Sequence, residues 1–565
     1  MNHSQTGAEL IVHLLERQGV DLVAGIPGGA ILPLYEALGG DTRVRHVLAR
    51  HEQAAGFIAQ GMARVSGKAG VCLATSGPGV TNLLTAIADA KLDSVPLVCI
   101  TGQVPQHLIG TDAFQEVKTG HLVDSITKAN FFARSVEDLL WMIPEAFRIA
   151  ESGRPGPVLV DVPKDVQLQR IALPLPPPPS LSETAEERRQ PTGTAWATAA
   201  AMINAAQKPV LYLGGGVVKA GGWEAARAVA EKAGLPTATS LMALGSLPAG
   251  HPLALGMLGM HGAKATNHVL DECDLLIAVG ARFDDRATGQ PSGFCPQAQI
   301  IHIDLDAREF GKIKTPTLAL QADARQALET LLPRLRAQSR PGWLARIAAL
   351  RAAFPAEPTR DSLHDPSGLI AAVAELAGPE ALISTDVGQH QMWVAQHYPF
   401  ARPDRWLTSG GLGTMGFGLP AAIGAALARP DLANVCFTGD GSLLMNVQEL
   451  ATLAELDLPV KIVLLDNAAL GLVRQQQTLF YKQRHVASHY VTPTDFAKVA
   501  EAFGIPAYDL GRLSEPRAAL EAAFRSAGPA LIRVPVDADR QVLPMVVPGR
   551  SNLEAIGSEL VDTET

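Results

Sequence analysis

"NVCFTGDGSLLMN", residues 434–446, is the stretch on which the reading of this chain turns. An apolar run of strand length ends in glycine, aspartate and glycine, and a helix-forming run follows. The segment SLLMNVQELATLAEL (442–456) puts Leu443, Leu444, Val447, Leu450, Ala451 and Ala454 on one helical stripe. LPVKIVLL (458–465) then reads as a second buried strand, ending at Asp466-Asn467. A right-handed crossover makes the two strands parallel, so Asp440 and Asn467 emerge at the same end of one sheet. A carboxylate and an amide oxygen beside backbone carbonyls suit a hard cation such as Mg²⁺, which keeps positions open for phosphate oxygens. Gly439 and Gly441 let backbone N–H groups and a helix N-terminus approach that phosphate. A lone GDG turn is usually structural, with the aspartate capping its helix. Asn467 at the end of the next strand moves the reading towards a metal–diphosphate site.

The same pattern recurs along the chain. DLVAGI (21–26), AGVCLATSGPGVTN, VPLVCITG and GPVLVDVP read as buried strands in a first segment. KPVLYLGGGV, CDLLIAVGARF and AQIIHIDLD do so in a second, and ALISTDVG, VKIVLLDN and ALIRVPV in a third. Short apolar runs closed by glycine and alternating with helices predict an α/β fold of three doubly wound parallel-sheet domains. Ligands then sit beyond the carboxyl ends of the strands. The first and third segments look like the same kind of unit. The breaks are LPLPPPPSLSETAEERRQPTG (173–193) and FPAEPTRDSLHDPSG (354–368). They predict domains at 1–172, 193–335 and 366–550, with linkers at 173–192 and 336–365 and a tail at 551–565.

Bulk properties exclude other classes. The 565 residues are 47% hydrophobic and 18% charged, with a formal net charge of −9. That balance offers no basic nucleic-acid surface and no basic membrane patch. No apolar stretch reaches membrane-spanning length, and the N-terminus shows no charged-then-apolar leader; both predict a soluble, cytoplasmic protein. The five scattered cysteines form no CxxC pair and read as buried thiols.

GDG followed by a helix, a strand and Asp466-Asn467 resembles the thiamin-diphosphate motif, in which aspartate and asparagine bind Mg²⁺. The resemblance extends through GIPGGAILPLYEAL, RHEQAAGFIAQGMAR, GTDAFQE, TDVGQHQMW and GGLGTMGFGLPAAIGA, and is greatest to the biosynthetic, FAD-containing acetolactate synthase catalytic subunits. It implies that Asp440, Asn467 and the carbonyl of Ala469 hold the metal. It implies that Gly388, Gln389, His390, Gly439, Gly441 and Ser442 grip the diphosphate. Glu52 becomes the acid that protonates the aminopyrimidine ring, and Met415 the wedge under the bent cofactor. Gly28, Gly29 and Gln115 would line the reacting centre; Phe114, Lys164 and Arg286 would lie near the substrate. Read alone, Glu52 is a helix-surface acid, Met415 core packing and Asp285–Arg286 a surface pair.

The resemblance also assigns the middle segment to FAD, with domains that bind pyrimidine, FAD and diphosphate in chain order. The turn Gly214, Gly215, Gly216 lacks GxGxxG spacing and is weak alone. The fuller set is Arg154, Thr239, Leu241, Met257, Leu258, Gly259, Met260, His261, Gly280, Arg282, Asp284, Arg286, Asp304, Asp323 and Ala324. The implied reaction decarboxylates pyruvate and joins the two-carbon unit to a second 2-keto acid, pyruvate or 2-ketobutyrate, in branched-chain amino-acid synthesis. The implied assembly is at least a homodimer with active sites between subunits, plus a small regulatory subunit. One departure stands out: Gln476, in RQQQTLFY (474–481), occupies the position of a family tryptophan that favours 2-ketobutyrate. A weak acceptor preference is expected. Pyruvate oxidase, glyoxylate carboligase and simple decarboxylase readings stay open, as do a flavin or nicotinamide oxidoreductase built on the GGG turn and a non-catalytic homologue acting as a scaffold. The retained Glu52 argues against glyoxylate carboligase.

Overall fold

Strands buried on both faces dominate the architecture. A computed structural model describes residues 4–172 and 191–557. The first linker falls almost wholly outside the described residues, as do the last eight positions of the tail. Three six-stranded sheets are present, each parallel throughout, and helices cover both faces. The expected fold class is the observed one.

The first sheet is ordered Arg45–Leu48, Leu22–Gly25, Gly70–Ala74, Leu97–Gln103, Pro157–Pro163, Ala129–Phe132. The third is ordered Trp406–Leu407, Leu382–Thr385, Asn434–Gly439, Val460–Asp466, Ala530–Pro535, Ala507–Asp509. Numbered within its own domain, each runs 2-1-3-4-6-5, so the likeness between the outer segments is one of topology. The middle sheet runs 3-2-1-4-5-6, the dinucleotide-binding order.

Local sequence explains the elements. Helix Gly7–Arg17 opens with a capping box between Thr6 and Glu9, buries Leu10, Ile11, Leu14 and Leu15, and gives way at Gly19, whose φ is +75°. An antiparallel pair, Ser4–Thr6 with Arg170–Ala172, ties the start of the first domain to its end. Helices Glu52–Ser66 and Gly418–Ala428, each following the second strand of its own domain, pack across the boundary between the outer domains. The contact is backbone to backbone: a Cβ on Gly61 would strike the carbonyl of Ala421, and one on Gly424 that of Ile58.

Three features differ from expectation. The single helix predicted over 442–456 is two, Asp440–Met445 and Glu449–Glu455. Asn446 breaks it by turning its amide to the Gly416 carbonyl at 2.7 Å, and Leu444 stays 40% exposed. The stretch read as a second linker contains helix Pro341–Ala353, whose Trp343 donates to the Pro209 carbonyl and joins the middle core with Ile347 and Leu350. The start of the tail and the residue before it pack on the middle domain: Asn552 donates to the Ala287 carbonyl at 2.9 Å, and the Arg550 carbonyl accepts from Gln290 N–H at 2.9 Å. All five cysteines are buried and unpaired. No helix among the described residues is long and apolar enough to cross a membrane.

Candidate active site

Asp440 and Asn467 meet as the crossover rule requires. Asp440 opens the helix after Asn434–Gly439, and Asn467 follows the neighbouring strand Val460–Asp466. A single amide joins them: Ala469 N–H donates to Asp440 Oδ2 at 3.1 Å and to Asn467 Oδ1 at 3.2 Å. Asp440 is 3% exposed, and its Oδ1 accepts from Gly441 N–H. Burial drives its carboxyl up to about 7 against the pull of those amides, and the neighbouring Asp466 adds to the rise. Asp466 is itself paired to Arg533 at 2.8 Å. A buried carboxylate bonded to the backbone amides of Gly441 and Ala469, beside an amide oxygen and a turn of backbone, fits Mg²⁺. Among the described residues no group of three His, Cys, Asp or Glu suggests another metal.

The diphosphate candidates surround this pair. The His390 ring is wedged between two glycines: a Cβ on Gly388 would meet it at 2.6 Å, and one on Gly439 at 2.8 Å. Its Nε2 is buried without a partner, and burial takes the ring down to about 3, so it is neutral. A buried ring nitrogen without a protein partner, set among glycine turns, fits a polar ligand group there. Ser442 spends its hydroxyl on the Val387 carbonyl at 2.7 Å. Gln389 is engaged with protein rather than open to a ligand: it accepts from Asn467 Nδ2 at 2.9 Å and donates to Gln475 and to the Arg540 carbonyl, both at 3.0 Å. The Met415 methyl lies 3.6 Å from where a Gly441 Cβ would stand.

Sequence reasoning missed the residues that hold the Met415 loop. Asp386, fully buried, accepts from Gly416 N–H at 2.7 Å and Gly418 N–H at 3.2 Å. From the first domain, Asp93 accepts from Gly411 N–H at 2.7 Å, and Asp89 from Thr414 Oγ1 at 3.1 Å and from Ser409. Arg64 pairs with both aspartates. Asp386 had a legible signal, since it too directly follows a strand and stands two residues before a glycine. Tyr490 was also missed: its hydroxyl lies 2.6 Å from a Gly441 Cβ, and its N–H donates to the Ala468 carbonyl.

The first-domain candidates form a second cluster. Glu52, half-buried, starts its helix and accepts from Asn82 at 2.9 Å. A Cβ on Gly28 would meet Thr75 at 2.5 Å, and one on Gly77 would meet Gln115 at 2.8 Å. Gly29 faces open space, Gln115 holds φ at +62°, and Lys164 begins the helix after Pro157–Pro163. Phe114 is 88% exposed.

The FAD candidates form a third. Gly214 and Gly216 pack on Gly280, so these glycines serve the close approach of two strand–helix turns at the point where the strand order reverses. Thr239 Oγ1, at the end of its strand, is buried without a partner, which fits a nucleotide there. Asp284 and Asp323 cap helices, the latter just ahead of Ala324; Asp304 holds Asp306 N–H, and burial raises its carboxyl to about 6. Arg154 is occupied by Glu309 at 2.7 Å, Asp306 and Ser94. Arg282 donates to the Leu92 carbonyl, and Leu241 accepts from Trp406. Met257 and Leu258 follow onto Gly259, whose Cβ would strike the Arg286 carbonyl; that carbonyl accepts from Met260 N–H. His261 touches the Pro544 carbonyl. The Arg286 side chain, 63% exposed, reaches Asp285 and Met260.

Comparison with known proteins matches this division. Residues 5–122 match the family described as thiamine pyrophosphate enzyme, N-terminal TPP binding domain; 196–331 match its central domain; 386–534 match its C-terminal TPP binding domain. Fold and site together define a thiamine pyrophosphate enzyme. Likeness over the whole chain narrows the class. The chain is 56% identical over 555 residues to the acetolactate synthase isozyme 1 large subunit of Escherichia coli (strain K12), covering 98% of each. It is 47% identical to the isozyme 2 large subunit of the same organism (97% and 99% covered) and 45% identical to an acetolactate synthase of Mycobacterium bovis (97% and 91%). The chain belongs to the acetolactate synthase family.

Proposed function

We propose that this chain is a thiamin-diphosphate-dependent acetolactate synthase that decarboxylates pyruvate and transfers the two-carbon unit to pyruvate or 2-ketobutyrate. The observation that carries the reading is the Ala469 amide shared by the Asp440 and Asn467 oxygens. Bound thiamin diphosphate supplies a nucleophilic carbon and an electron sink for the decarboxylation. Asp440, Asn467 and the Ala469 carbonyl hold Mg²⁺. The Gly388 and Gly439–Ser442 turns, with neutral His390, receive the diphosphate. Met415, on the loop fixed by Asp386, Asp89 and Asp93, would pack against the bound cofactor. Glu52 holds a proton at the pyrimidine ring nitrogen; Asn82 grips its Oε2 and leaves Oε1 for that proton. Gly28, Gly29 and Gln115 shape the reacting centre, and Lys164, Phe114 and Arg286 its approach.

Active sites between two copies, a separate regulatory subunit and structural FAD on the middle domain belong to the same proposal. The exposed Phe114 supports the first, the large-subunit names of the relatives the second, and the unpartnered Thr239 hydroxyl the third. The test is product analysis from pyruvate with Mg²⁺, thiamin diphosphate and FAD each omitted in turn, with Glu52→Gln as control. Acetolactate that needs the first two supports the reading. Acetaldehyde alone, or acetyl phosphate with peroxide, replaces it with a decarboxylase or an oxidase.

A further inference from the structure

Three side-chain amides connect the proposed metal site to the C-terminal segment, and their polarity is held from both ends, by the Ala469 N–H at the metal site and by Val542 at the far end. Val542 presents both of its backbone groups to Gln475: its N–H donates to Gln475 Oε1 and its carbonyl accepts from Nε2, each at 2.8 Å. A backbone unit cannot exchange donor for acceptor, so the Gln475 amide has one permitted orientation. Its Oε1 then requires a donor from Gln389, which supplies Nε2 at 3.0 Å; the Arg540 carbonyl demands the same atom. Gln389 Oε1 is thereby turned to Asn467, which must answer with Nδ2, at 2.9 Å. Asn467 is left with Oδ1 facing the Ala469 amide and Asp440.

We infer that Gln475 is a positioning residue for the metal-binding asparagine: through Gln389 it fixes which atom Asn467 offers the cation. The inference rests on the magnesium reading of Asp440 and Asn467. A flipped Asn467 would present an NH₂ group, which has no lone pair for a cation. Gln475 is buried, and its helix, Gly471–Phe480, begins four residues after Asn467, so it reaches the metal ligand only through Gln389. The segment that reads out the polarity is itself anchored. Gln396 donates to the Leu543 carbonyl at 3.2 Å, and Val546 N–H to the Met260 carbonyl at 3.1 Å. The metal ligand is thus oriented by a strand of chain that also rests on the middle domain.

The test separates acceptor from donor at position 475 in the full-length protein, using calorimetric titration of Mg²⁺ in the presence of saturating thiamin diphosphate. Gln475→Met keeps the length and removes the oxygen, and Mg²⁺ affinity is expected to fall by about tenfold or more, as for other outer partners of metal ligands. Gln475→Glu keeps an acceptor for Gln389 and is expected to bind Mg²⁺ like the wild type, although both variants lower the melting temperature of the metal-free protein. A purely structural role would move the melting temperature and leave the two metal affinities alike. Should Q475M not fold, Gln389→Met breaks the same chain one link nearer the metal and carries the same expectation. Wild-type Mg²⁺ affinity in Q475M or Q389M, or an equal loss in Q475E, overturns the inference. A wild-type protein that takes up no Mg²⁺ with thiamin diphosphate overturns the magnesium reading instead, before any variant is compared.

Discussion

The first and third domains share one strand order, and equivalent helices dock them, yet they are equipped for different halves of a reaction. In each, the turns after the first three strands carry the candidate residues. After strand one stand Gly28 and Gly29 in one domain, and Gly388 with His390 in the other. After strand two stand Glu52 and the Met415 loop. After strand three stand Gly77, packed against Gln115, and Asp440-Gly441. The third-domain turns hold a buried carboxylate, which calls for a cation, and an unpartnered ring nitrogen, which calls for a polar ligand group. The first-domain turns hold one acid gripped by an amide, beside Gly28, Gly29 and Gly77, which suit an organic ring. On the proposed reading, two domains of one topology divide a cofactor between them: the geometry of the turns is common, and single residues distinguish the two ends.

The strongest way to break that division is to disable each half separately. Asp440→Asn is expected to abolish uptake of Mg²⁺ with thiamin diphosphate in calorimetry, and activity with it. Glu52→Gln should keep that uptake while acetolactate formation falls by about 10²–10⁴-fold, the usual contribution of an acid–base group. Loss of uptake in Glu52→Gln would mean that the two halves do not act independently.

The docking of the halves is the next target. The Gly61 and Gly424 sites leave no room for a Cβ against rigid backbone. Gly61→Val should cost about 3 kcal/mol or more, as overpacking does, and lower the denaturant midpoint. Gly250→Ala, where nothing lies within 4 Å of the added atom, serves as the control and should change nothing.

How much of this was legible follows from how local each feature is. Strands buried on both faces write themselves as apolar runs closed by glycine, so three parallel sheets could be read directly. The Asp440–Asn467 meeting could also be read, because crossover handedness fixes which ends of neighbouring strands coincide. The break at Asn446 could not: the apolar stripe continues across it, and a tertiary bond to Gly416 overrides the helix. Glu52 was indistinguishable from a surface acid except by resemblance, because its partner Asn82 lies 30 positions away on another helix. Gln389 was read as a diphosphate ligand, whereas its amide is spent on Asn467, Gln475 and Arg540, partners that only the folded C-terminal segment brings near.

Protons sharpen the contrast between the halves. The Asp440 carboxyl, raised to about 7 in the metal-free chain, must be ionised to hold a cation. Mg²⁺ affinity should therefore fall as pH drops below about 7, approaching roughly tenfold per pH unit for one competing proton. Stability runs the other way. The raised group favours the folded metal-free chain at low pH, and that contribution is lost as pH rises through about 7; Asp386, raised to about 6, acts in the same direction. The gain in melting temperature on adding Mg²⁺ and thiamin diphosphate should thus be larger at pH 8 than at pH 6. A gain that does not change with pH would remove Asp440 from the metal site.

The smallest expected effect concerns choice of acceptor, and it separates neighbours within the third domain. Of the three consecutive glutamines on helix Gly471–Phe480, Gln475 is locked to Val542, and Gln477 bonds Ser488 and the Val486 carbonyl. Gln476 is half-buried, and no hydrogen-bond partner holds it among the described residues. It is the one whose side chain can be exchanged without disturbing the metal ligand. Gln476→Trp adds apolar surface that the extra methyl of 2-ketobutyrate can bury, and pyruvate gains nothing from it. Discrimination of one methylene amounts to about 1–3 kcal/mol, so in a competition assay the product ratio should move towards 2-aceto-2-hydroxybutyrate by about tenfold. Mg²⁺ affinity should stay at the wild-type value, in contrast to the fall expected for Gln475→Met. An unchanged product ratio would place acceptor selection elsewhere, and a fall in metal affinity would show that position 476 belongs with Gln475 in orienting the cation site.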